Sequence, residues 1–163
     1  MTMTIDGTAG VTFNDGSVQG KAVPAAPQSM VRLTNNNGVG STNTAIRRFL
    51  NVVTNQGTGT SYVDSATLGA TFTINTNGVY ALSYSEGFSA AANFGLSLNS
   101  TQLTTSIDGI TAADVLAIST TSAAGFQLCV GGSFYLPAGS VVRAHGNATA
   151  AGAAAQFTIT RVA

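Results

Sequence analysis

From Gln28 onward, apolar and polar residues alternate in short runs divided by turn residues, and this rhythm constrains the fold more than any other feature of the chain. A period of two puts every second side chain on one face of a strand. Thr67–Ile74 sets Thr71 and Thr73 against Phe72 and Ile74, and Val79–Ser85 carries Tyr80, Leu82 and Tyr84 on one face. Asn93–Leu98 presents Phe94, Leu96 and Leu98; Gly125–Leu136 presents Phe126, Leu128 and Val130, then Phe134 and Leu136 after a break at Gly131-Gly132. Ser29–Leu33, Ala45–Val53, Val141–His145 and Gln156–Val162 complete the set. A spacing of roughly 8–12 residues predicts an all-β sandwich or barrel. Asn77-Gly78 reads as a tight turn between two of these strands, and Pro137-Ala138-Gly139 as another turn. Ile110–Ile118 is expected to give a turn of helix at most, and Ala148–Ala155, interrupted by Gly152, a loop before the last strand.

The 163 residues suffice for one core, since a chain of this size buries roughly 70% of its unfolded surface. Only 7% of residues are charged, against about a quarter in an ordinary soluble domain, and six basic residues balance six acidic ones. A soluble monomer usually keeps a net charge that opposes association. Its absence predicts a protein that works inside an assembly. The N-terminus has neither the basic stretch nor the apolar stretch of a secretory signal, and no run reaches the roughly 18 apolar residues of a membrane span. No membrane partner is expected.

Residues 1–27 differ from the rest. Short extended pieces at Thr2–Ile5, Gly10–Phe13 and Ser17–Gln19 are divided by Asp6-Gly7 and Asn14-Asp15-Gly16, and Pro24 and Pro27 mark an extended linker. The segment is too short for its own core, so it is expected to dock on another surface through Ile5, Val11, Phe13 and Val18. Residues 28–163 form the β domain.

Chemistry-bearing groups are few: one His, one Cys, one Glu and five Asp. No nucleophile elbow, phosphate-binding loop or zinc-ligand spacing is present, so no enzyme activity, cofactor or metal is expected. Cys129, in an apolar run, reads as a small buried residue, and His145 as a structural one. One Lys and five Arg, with only Arg47-Arg48 adjacent, argue against nucleic-acid binding. On a strand Arg47 and Arg48 point to opposite faces, so one is expected inward, at a subunit interface, with a carboxylate or carbonyl partner. The uncharged loops Asn35-Asn36-Asn37 and Ala148–Ala155 are free to meet sugars, another protein, or only solvent.

Three segments resemble the jelly roll of the C1q/tumour-necrosis-factor-like superfamily: Phe72-Thr-Ile-Asn-Thr-Asn-Gly78-Val-Tyr80-Ala-Leu-Ser-Tyr84, Phe134-Tyr-Leu-Pro-Ala-Gly139-Ser-Val-Val, and Phe157-Thr-Ile-Thr. The resemblance spans residues 28–163 and implies a jelly-roll β-sandwich. In that family an aromatic inner face packs about a threefold axis, which implies a homotrimer. Arg47, Arg48, Tyr80, Tyr84 and Phe157 are its candidate interface residues. No receptor- or calcium-binding motif of the family is present.

Residues 5–19, Ile-Asp-Gly-Thr-Ala-Gly-Val-Thr-Phe-Asn-Asp-Gly-Ser-Val-Gln, are similar to a segment of tailed-bacteriophage virion proteins. That resemblance implies a virion structural protein whose partner is the major capsid protein or another virion protein. Two roles fit. One is a capsid decoration or cement protein; the other is a tail-fibre tip or adaptor that recognises a host-surface glycan or receptor.

Overall fold

The computed structural model describes residues 4–6, 10–12, 15–16, 18–19, 28–125, 127–147 and 149–163. Phe13 and Phe126 lie outside these. The arm contributes β1 (Thr4–Asp6), β2 (Gly10–Thr12) and β3 (Val18–Gln19). They pair antiparallel in the order β1-β2-β3, with Ile5 opposite Val11 and Thr12 opposite Val18. Gly16 takes φ +80° in the second turn, where the sequence Asn14-Asp15-Gly16 signals one.

Ten strands build two further five-stranded sheets. They are β4 (Met30–Val39), β5 (Arg47–Gln56), β6 (Thr60–Val63), β7 (Thr71–Ile74), β8 (Gly78–Phe88), β9 (Ala92–Leu98), β10 (Val115–Thr121), β11 (Gln127–Leu136), β12 (Val141–Gly146) and β13 (Ala150–Arg161). One sheet runs β10-β9-β12-β7-β6, the other β11-β8-β13-β4-β5, and every pairing is antiparallel. Consecutive strands lie in opposite sheets from β7 through β9 and from β10 through β13, the winding of a jelly roll.

The inward faces are those the alternation marks. Phe72, Ile74, Tyr80, Leu82, Tyr84, Phe94, Leu96, Phe157 and Ile159 are buried between the sheets. Phe72 stacks on Phe157 at 4.0 Å between ring centroids, which fastens one sheet to the other. Tyr84 meets Phe49 and Phe94 edge-on at 6.3 and 5.6 Å. Such pairs contribute about 0.5–1.5 kcal/mol each beyond their buried area.

The structure departs from the sequence expectations in seven places. Asn77-Gly78 does not close a hairpin, because β7 and β8 lie in different sheets. Gly78 is required there for space: a Cβ would sit 2.2 Å from the carbonyl oxygen of Ala163. Ala148 lies outside the described residues, and from Ala150 on the Ala-rich segment is strand, not loop. Its pairing with β8 shifts between Ala150 and Ala155, so the chain bulges before resuming register. Gly131-Gly132 does not break β11, which pairs with β8 throughout. Thr67–Ile74 is strand only from Thr71, the preceding residues making a turn. Ile110–Ile118 divides into a 3-10 turn at Ala112–Asp114 and the strand β10, and β6 was not legible. Cys129 is exposed, because β11 turns Val130 inward and its neighbour outward.

Candidate functional site

Strand β5 begins beside β12. Ile46 bridges His145, Ala70 N–H donates to Arg47 O at 2.9 Å, and Gly146 N–H donates to Ala45 O at 3.0 Å. This fixes the first residue of β5 with its side chain inward. Arg47 Nε lies 2.9 Å from Glu86 Oε2, and both side chains are almost fully buried. Tyr84 O–H donates to the same carboxylate oxygen, and the guanidinium carbon stands 5.3 Å from the centroid of Phe88. Burial pushes the Glu86 carboxyl up, with the Arg47 charge and the Tyr84 hydroxyl pulling the other way. Burial, aided by the Glu86 charge, holds the Tyr84 hydroxyl well above its ordinary value. Gly146 is needed here for close approach, since a Cβ would meet the Arg47 guanidinium at 2.8 Å.

Arg48 points the other way and grips Asp64 with two bonds, 3.0 and 2.7 Å. Its hydrogen bond to Asp64 raises its pKa. The pair is partly solvated and contributes about 0–1 kcal/mol.

Arg47 and Gly146 also line a cleft of about 430 Å³ between the end of β4 and the β12–β13 corner, with Asn36, Thr44, Asn147 and Thr149 on its walls. A second cleft of about 350 Å³ lies at the far end of β5, lined by Thr58, Ser61, Tyr62 and Asn75 among others. Burial pushes the Tyr62 hydroxyl up to about 12.

The other titratable groups are dispersed. His145 Nε2 lies 2.7 Å from Ser97 Oγ in the interior. Burial lowers its pKa to about 4, opposed by a backbone bond with Thr105 and helped by the Arg143 charge. Asp108 is bonded by Ser106 and by Asn93, and the Ser106 bond holds its carboxyl below the usual range. Among the described residues no three His, Cys, Asp or Glu side chains converge.

The sequence-derived interface candidates separate on this geometry. Tyr80, Tyr84 and Phe157 have no exposed surface in a single chain, so they belong to its own core and not to a face it offers a partner. The period-two pattern marks an inward face without saying whether strands of the same chain or another copy cover it. Arg47 is likewise enclosed by its own chain, and its carboxylate partner is Glu86. Arg48 keeps an accessible surface. In the arm, Ile5, Val11 and Val18 lie on the paired strands. Sequence reasoning missed Glu86. The chain's only Glu, on a strand beginning Gly-Val-Tyr-Ala-Leu, was the available signal that an inward Arg had an internal partner.

No family model matches the chain, and no curated protein does. Solved structures do. The crystal structure of murine APRIL at pH 8.5 is 14% identical with a TM-score of 0.57, covering 83% of this chain and 99% of that one. The structure of murine APRIL at pH 8.0 is 15% identical with a TM-score of 0.55 and the same coverage. The likeness shows the fold, a C1q/tumour-necrosis-factor-like jelly roll.

Proposed function

We propose that this chain is a non-enzymatic virion structural protein, a capsid decoration protein that self-associates as a homotrimer and clamps shell subunits through its N-terminal arm. The observation that carries the self-association is the uncovered half of β5. From Leu50 on, this edge strand is open on both faces, with Leu50 61%, Val52 53% and Val53 51% exposed, and Val63 of the neighbouring edge strand β6 61% exposed. An apolar edge strand left open pairs with other chains, and soluble proteins normally blunt it with charge or cover it. Here a copy of the same chain covers it. The virion assignment rests on the phage-like segment at residues 5–19, among whose described residues the strands pair with one another. A contact of roughly 1,600 Å² repeated about a threefold axis adds avidity to each arm.

A tail-fibre tip or adaptor is the second reading, favoured by the cleft that Arg47 lines together with Asn36, Thr44, Asn147 and Thr149. Copy number in purified particles, measured by quantitative mass spectrometry against the major shell protein, separates the two. A number proportional to the shell protein supports decoration. A few copies, in a multiple of three, support the tail. Absence from particles overturns both.

A further inference from the structure

The two uncharged segments that the sequence leaves free to meet sugars come together in space. Asn36 near the end of β4 and Gly146, Asn147, Thr149 and Ala150 at the β12–β13 corner form walls of the same cleft, whose volume of about 430 Å³ falls within the roughly 300–1,000 Å³ of small-ligand sites. Its polar groups are held in place. Asn36 Oδ1 accepts from Gly38 N–H at 2.9 Å, and Asn147 Oδ1 accepts from Asn93 N–H at 2.9 Å. A backbone N–H requires an acceptor, so these bonds fix which end of each carboxamide is oxygen and leave the NH2 end to donate. Thr44 and Thr149 add hydroxyls that both donate and accept. Ser89 fixes the Thr149 carbonyl through its N–H and its hydroxyl, each at 3.0 Å.

Arg47 is the charged residue of the wall, and Glu86 balances it from inside. An anionic ligand therefore meets no uncompensated charge, and a hydrocarbon ligand would strand fixed amide donors. The cleft at the other end of β5 lacks this character, because Asn75 Nδ2 donates to Thr58 O and Ser61 Oγ at 2.9 and 2.7 Å. We propose that the cleft between β4 and the β12–β13 corner binds an uncharged saccharide, with Asn36 and Asn147 donating to ring hydroxyls and Thr44 and Thr149 completing the set. The inference rests on the cleft alone and not on the decoration reading.

The test applies the full chain, fluorescently labelled at its N-terminus, to an array of neutral and anionic glycans. The strongest neutral binder is then titrated while the side-chain NH2 signals of Asn36 and Asn147 are followed by NMR. Neutral glycans are expected to bind and to shift both signals, and Thr44→Val and Thr149→Val each to weaken binding roughly three- to tenfold with the melting temperature unchanged. Binding to no neutral glycan, binding to anionic glycans alone, or binding by both Val variants as tight as that of the wild type overturns the proposal. Should Thr149→Val fold poorly, Thr44→Val, at an exposed turn, gives the same readout. Copy number in particles is unaffected by any of these outcomes, so the two readings fail separately.

Discussion

Arg47 and Glu86 meet in the interior at 2.9 Å, although their strands β5 and β8 are separated in the sheet by β4 and β13. Arg48, the next residue, reaches Asp64 at the surface instead. Two adjacent arginines thus hold opposite positions: one ties the edge strand β5 to β8, three strands across the sheet, and the other joins β5 to the residue that follows β6.

Glu86→Gln is expected to destabilise the chain by about 3–5 kcal/mol, because it leaves the Arg47 charge buried opposite a neutral amide. The double variant Arg47→Met/Glu86→Leu removes both charges and should recover most of that loss. Urea denaturation of the three proteins measures it. A double variant no more stable than the single one would show that shape, not charge balance, governs the site.

Acid should weaken the fold through His145. Its pKa is about 4 in the folded chain and about 6.5 when unfolded, so between these values the unfolded state binds more protons. Stability contributed by the neutral ring is complete above about pH 6.5 and is lost as pH falls towards 4, a span worth about 3 kcal/mol. Glu86, raised by burial, acts in the opposite sense, its contribution falling as pH rises through its folded-state pKa. The difference between wild type and His145→Gln in unfolding free energy against pH isolates the histidine. Parallel curves would remove it as the cause.

Leu50→Lys with Val53→Lys places two charges on the open edge of β5. Both positions are exposed in the single chain, so stability should change by no more than about 0.5 kcal/mol per site. Light scattering should report a trimer for the wild type and a monomer for the double variant. A monomeric wild type at high concentration sinks the self-association reading outright.

Deletion of residues 1–20 should leave the melting transition of the jelly roll unchanged, since among the described residues the arm strands pair with one another. Particle binding in co-sedimentation should be lost. A truncated chain that no longer melts cooperatively would place the arm within the core.

How much of this was legible in the sequence depends on whether the signal is local. The all-β class and the inward faces of β7, β8 and β9 follow from alternation, which needs only a strand and its own neighbours. Pairing could not be read the same way. Asn77-Gly78 carries a hairpin signal, yet the strands it joins belong to different sheets. The Ala-rich segment carries helical propensity, yet as the start of β13 it becomes a strand through pairing in the sheet, where tertiary context overrides propensity.

The sequence by itself determined that an inward arginine would need a partner, and that charge was too scarce for catalysis or nucleic-acid binding to be expected. Tertiary structure alone decided that the partner is Glu86, that the aromatic face of Tyr80, Tyr84 and Phe157 closes within one chain, and that Asn36 and Asn147 share a cleft. Alternation records which way a side chain points and is set within a few residues. What that side chain meets is set by strands brought together across the whole chain, and no local pattern encodes that distance.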